Sequence, residues 1–174
     1  MNLRQIVGLS ALTGLSLSLM AMATIAPAQP RSLKDQVVGA WELASAQTTN
    51  KDGSTVHSFG PNPKGMVIFE ANGRYVQVNL SASLPKFASG NRMKGTADEN
   101  RAVVQGSISY YGTWHVDEAA KLMVQRVEAN SYALHTGTEY KRPISKLTAD
   151  ELVFTNPVSS AGGGFTVLSF RRAR

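Results

Sequence analysis

Arg126 and Glu128 are the residues of this chain whose types and spacing come nearest to a chemical site. They alternate with Leu122 and Val124 along one face of a strand-forming run. Turned into a closed barrel, the pair would hold a carboxylate or carbonyl, or move protons with a shifted pKa. Turned outward, it would ladder with charges on a neighbouring strand, and this is the expected orientation. Other chemistry is poorly represented. His57, His115 and His135 are widely separated and form no His-x-His or helical pair, so no metal site is expected. Asp98-Glu99, Asp117-Glu118 and Asp150-Glu151 sit at turns or a helix start, where carboxylates are solvated or complement a helix dipole. Ser83-Leu84-Pro85-Lys86 has the S-x-x-K spacing of serine acyl enzymes but lacks the accompanying motifs. Gly162-Gly163-Gly164 has no following Lys and helix, so it reads as a flexible connection rather than a phosphate loop.

The elements that would position such residues are almost all strands. Short apolar or alternating runs bounded by Gly, Pro, Asn and Asp predict eight of them, at 39–47, 66–70, 74–80, 107–116, 122–129, 137–146, 152–155 and 165–171. Asp52-Gly53 and Asn72-Gly73 carry the turn chemistry of tight connections. Thr96 and Glu99 fit a capping box, so a short helix is expected from there to about Gln105. Residues 81–95 have no periodicity and read as a mobile lid over one barrel mouth. Eight antiparallel strands make a small closed barrel, which can hold one ligand or be filled by its own side chains.

Gly39-Ala40-Trp41 and Gly112-Thr113-Trp114 each open a strand. The indoles are expected to plug the narrow end, with the glycine two residues earlier allowing close backbone approach. Trp41 pointing inward would carry Leu43, Ser45 and Gln47 with it; Trp114 would carry Ile108, Tyr110 and Val116. Along 74–80 the faces separate cleanly. Val76, Val78 and Leu80 are expected inside, because burying Tyr75, Gln77 and Asn79 would require a partner for each. The opposite orientation would suit a barrel holding a partly polar ligand. Candidate ligand contacts are Met66, Ile68, Tyr75, Gln77, Tyr110, Trp114, Arg126 and Glu128.

The first 28 residues combine Arg4, a mostly apolar stretch from Ile6 to Ile25 and Ala26-Pro27-Ala28. This is the pattern of an export signal cleaved after Ala28, leaving residues 29–174 as one domain in the periplasm or outside the cell, with no stable membrane anchor. The chain has no Cys, which removes disulfides, thiolate catalysis and Cys-bound metals. Its net charge is +6. The basic residues are scattered, apart from Lys141-Arg142 and Arg171-Arg172-Arg174, which are expected to be solvated strand and terminus charge. Nucleic-acid binding would require clustered charge interleaved with aromatics. No cofactor is implied.

Val38-Gly39-Ala40-Trp41-Glu42-Leu43, Phe59-Gly60-Pro61-Asn62-Pro63-Lys64-Gly65, Tyr110-Tyr111-Gly112-Thr113-Trp114 and Gly137-Thr138-Glu139 together resemble the bacterial and fungal lipocalin-like domain family, from about Leu33 to Arg171. The resemblance implies one lipocalin-like barrel and carries no general catalytic residue set. Two departures stand out: the export signal, and Gln125-Arg126-Val127-Glu128 where such proteins often look His-rich. The expected function is binding of a small, mainly apolar or amphipathic molecule. An isomerase, cyclase or hydrolase using Arg126, Glu128 and a Tyr is the alternative, and a filled barrel serving as an envelope or interaction module is a third reading.

Overall fold

The computed structural model describes residues 31–160 and 162–174; the expected signal at 1–28 lies outside them. Among these residues nine antiparallel strands follow one another: β1 (Gly39–Thr49), β2 (Thr55–His57), β3 (Lys64–Phe69), β4 (Arg74–Leu80), β5 (Ser107–Asp117), β6 (Leu122–Asn130), β7 (Glu139–Leu147), β8 (Glu151–Asn156) and β9 (Phe165–Arg172). Each of β3 to β8 pairs with the next, and β1 pairs with both β3 and β9, so eight strands close a barrel. The short β2, absent from the expected set, extends one edge of β1 through Gln47–Thr49. Closure leaves no long unpaired edge.

Among the described residues two α-helices accompany the barrel. α1 (Leu33–Val37), also unexpected, is capped by Ser32, and its free Leu33 and Lys34 amides donate to the Glu118 carboxylate at 2.9 Å. α2 (Ala97–Gly106) begins with the expected capping box, in which Thr96 and Glu99 satisfy each other's backbone amides. The second Glu99 oxygen accepts from Ala88 N, tying the preceding loop to the helix start. Among the described residues no helix is long and apolar enough to cross a membrane.

The two ends of the barrel differ. At the end where 70–73, 117–121 and 148–150 turn, Trp41, Phe69, Trp114, Met123, Leu152 and Phe170 fill the interior. Val37 of α1 packs onto this cluster. Both indole N–H groups find carbonyls: Trp41 donates to Val37 O at 2.8 Å and Trp114 to Glu70 O at 3.0 Å. Both tryptophans are therefore plugs, as their Gly-x-Trp settings predicted. The glycines explain the geometry. A Cβ on Gly112 would collide with the Arg126 carbonyl across the β5–β6 ladder, where the register shifts. Gly39 has φ of +125°, a conformation closed to most side chains.

Arg172 belongs to this end and is not solvated terminus charge. Its guanidinium lies 3.9 Å from the Trp41 ring centroid and donates to the carbonyls of Gln36, Val38 and Ala149. It fastens α1 to the last strand. The inward set on β1 also differs from strict alternation. An irregularity between Leu43 and Ser45 moves the phase, so Ala46 and Thr48 are buried and Gln47 is exposed.

Candidate functional site

β4 turns its polar face inward. Tyr75, Gln77 and Asn79 are buried, whereas Val76 is exposed and Val78 and Leu80 are half-buried. This reverses the expected orientation, and the reason lies on distant strands. Arg142 on β7 is 2% exposed and projects into the barrel, where Gln77 Oε1 accepts from its Nη1 at 3.4 Å. Gln125 Oε1 on β6 accepts from the same nitrogen at 2.6 Å. Tyr110 on β5 accepts from Nη2 at 3.2 Å. Gln77 Nε2 in turn donates to Asn79 Oδ1 at 3.2 Å. Gln77 is thus partnered across the barrel and Asn79 through Gln77, which removes part of the cost of burying this face.

Arg142 was expected to be solvated strand charge and is instead the centre of this layer. Rings of Tyr140, Phe154 and Tyr110 surround its guanidinium, with centroids at 4.5, 5.2 and 5.6 Å. Among the described residues it enters no ion pair. Its Nε has no hydrogen-bond partner, nor do Gln125 Nε2 or the Tyr75 hydroxyl. Burial pushes the Tyr75 phenol well above the ordinary tyrosine value and the Tyr140 phenol up to about 12. The Tyr140 hydroxyl and His135 Nδ1 share a hydrogen bond.

Above this layer a cavity of about 680 Å³ opens at the other end of the barrel. Arg142, Tyr110, Tyr140 and Asn79 form its polar floor. Ile108, Leu168, Phe59 and Val103 supply apolar wall. Thr166 and Ser58 line it too, and both hydrogen-bond to Thr48, at 2.7 and 2.6 Å. No Asp or Glu lines it. The cover is α2, through Val103, Val104 and Gln105; none of residues 81–95 lines the cavity, so the expected lid segment is displaced by the helix that follows it.

The structure distributes the candidate contacts over four environments. Tyr110 lines the cavity; Tyr75 and Gln77 are buried in the layer around Arg142, and Trp114 lies in the closed end. Met66 and Ile68 are half-buried on the outer face of β3, because Val67 and Phe69 take the interior. Arg126 and Glu128 are exposed, and Glu128 receives both Arg74 Nη atoms, at 2.5 and 2.9 Å. That hydrogen bonding holds the Glu128 carboxyl below the usual range. The acid–base pair of the enzyme alternative therefore lies outside the barrel. A wholly filled barrel is likewise not what the open end contains. Arg142 was the missed residue, and its signal was alternation, since it lies between Tyr140 and Ile144 on one face of its strand. Among the described residues no group of three His, Asp or Glu could hold a metal ion.

No curated protein matches the chain. Among solved structures, a lipocalin-like protein from Bacteroides uniformis ATCC 8492 is similar at 15% identity and a TM-score of 0.43, covering 79% of this chain and 99% of that one. A redesigned β-barrel is similar at 13% identity and a TM-score of 0.42, covering 81% and 95%. The model of the lipocalin-like domain family matches residues 38–172, the whole barrel, and the chain belongs to that family.

Proposed function

We propose that this protein binds one small, mainly apolar or amphipathic molecule in the cavity at the open end of its barrel. Small closed barrels commonly hold a single ligand. The observation that carries the reading is the cavity itself: about 680 Å³, with an apolar wall above a polar floor. Ligand pockets typically occupy about 300–1,000 Å³ and combine an apolar lining with a few placed polar groups. Export is the companion proposal and rests on the signal pattern in residues 1–28.

The test uses a neutral fluorescent dye, Nile red, titrated into the purified protein. Wild type is expected to bind it saturably in one-to-one stoichiometry. Leu168→Trp, which adds bulk to the cavity wall, is expected to weaken binding by about tenfold or more while leaving the circular dichroism of the barrel unchanged. Equal binding by both proteins would place the dye elsewhere and remove the reading. Mass spectrometry of the exported fraction checks the companion proposal, with Gln29 expected as the first residue.

A further inference from the structure

We propose that the ligand enters head first and that its head group is an anion of the carboxylate class, received by Arg142 and Tyr110 on the cavity floor. The proposal rests on the cavity being a ligand site and deepens that reading.

A guanidinium keeps its proton under all ordinary conditions, so Arg142 is a permanent charge that is 2% exposed. Its partners are two amide oxygens and a phenol oxygen, all neutral. Neutral dipoles and ring faces compensate a desolvated cation only in part. Both glutamines present oxygen to the guanidinium, because an arginine offers only donors. This orientation leaves Gln125 Nε2 without a partner.

Three side-chain atoms of the layer around Arg142 are without a partner: its own Nε, Gln125 Nε2 and the Tyr75 hydroxyl, which can donate or accept; of these residues Arg142 alone lines the cavity. Asn156 Oδ1, an unpartnered acceptor, sits on β8 at the mouth end. Tyr110 spends a lone pair on Arg142, so its own hydroxyl proton is available to a ligand. A buried positive charge and the Tyr110 hydroxyl, on a cavity lining that carries no carboxylate, form a site that an anion completes. Arg142 lies on the floor, and Ile108, Leu168 and Val103 stand around it. The charged end of an amphipathic acid therefore has its best position at depth, with its chain against the apolar wall. Such a ligand is a medium-chain carboxylic acid or a molecule of similar amphipathic form.

The experiment compares two probes of equal chain length, decanoate and decan-1-ol, by calorimetric titration at neutral pH. Wild type is expected to prefer decanoate by about tenfold or more, the worth of a charge-assisted hydrogen bond. Arg142→Gln is expected to bring the two within about twofold, and Tyr110→Phe to reduce the preference in part. A second measurement needs only wild type: the carboxyl of ¹³C-labelled decanoate is followed by NMR through a pH titration. Beside Arg142 the bound carboxyl titrates below the free acid, whereas an apolar pocket alone would raise it. Equal affinity for acid and alcohol, or a bound carboxyl titrating above the free acid, overturns the anionic head group and leaves cavity binding intact. A full preference retained in Arg142→Gln overturns the role of that residue. Binding of neither probe overturns this proposal together with the function it rests on.

Discussion

The closed end and the open end of this barrel are made by the same strands, yet they handle polar groups in opposite ways. At the closed end the interior is aromatic and aliphatic, and each indole N–H reaches a backbone carbonyl. Toward the mouth, β4, β6 and β7 place Gln77, Gln125 and Arg142 inside, and donors there remain unpartnered. A buried group with its hydrogen bonds made contributes stability, whereas one left incomplete costs it. The first arrangement is what folding alone would select. The second is what a binding site looks like before its ligand arrives, and it is the closed end that offsets its cost.

The sharpest way to break this contrast is to compare truncations at the two ends. Trp41 is fully buried, seals α1 and carries the Arg172 stack. Trp41→Ala is expected to cost about 3–5 kcal/mol in urea denaturation. Gly112→Val follows, because its Cβ must displace the Arg126 carbonyl from the β5–β6 ladder. Overpacking of this kind costs about 1–3 kcal/mol. Arg142→Met, equally buried, is expected to stay within about 1 kcal/mol of wild type without ligand, since losing a desolvated cation offsets the loss of its partners. A loss at Arg142 as large as that at Trp41 would make the polar layer a structural element and end the distinction.

The same contrast explains what was legible in the sequence. The closed end could be read because its signals are local. Gly39 and Gly112 each stand two residues before a tryptophan and strand runs alternate; at the open end Thr96 and Glu99 mark the start of α2 just as locally, whereas α1 and Arg172 at the closed end depend on remote contacts and were not legible. The polar layer could not, because its partners are remote: Arg142 meets Gln125 at a separation of 17 residues and Gln77 at 65. Along 74–80, alternation shows two faces but not which one lies inside. The apolar face was the natural choice until Arg142 supplied a partner from across the barrel. Val76 instead pairs with Tyr111 on the outside. Gln47 was misplaced by the irregularity between Leu43 and Ser45, which no residue in that stretch announces. Arg126 and Glu128 stand out as neighbouring charges on a strand, whereas the buried arginine lies on the next strand with aromatic company.

Alkaline pH sharpens the comparison at the level of single groups. Burial pushes the Tyr140 phenol up to about 12, while in the unfolded chain it titrates near its ordinary value of about 10. Below that lower value both states hold the proton, and this group gives stability no pH dependence. Between the two values the unfolded chain has released the proton and the fold has not, so stability falls as pH rises. Urea midpoints are expected to decline over that interval, and Tyr140→Phe is expected to flatten the decline. An unchanged slope in the variant would show that Tyr140 is not the group holding its proton.

The smallest effect is expected at Glu128, the acid or base of the enzyme alternative. Its carboxylate lies on the barrel's outer wall, held by both Arg74 Nη atoms and kept ionised below the usual carboxylate range by that contact. Exposed pairs of this kind contribute little, because water and salt solvate either partner when the other is removed. Any stabilisation it gives is present above the ordinary glutamate value and fades as pH falls through the lowered one. Glu128→Gln is therefore expected to leave the urea midpoint at neutral pH close to wild type. Dye binding in the cavity should also be unchanged, since the wall of β6 separates the two. A loss of binding would mean that the outer charges of β6 reach the cavity, and that the division between a filled, local end and an open, remotely assembled one is drawn in the wrong place.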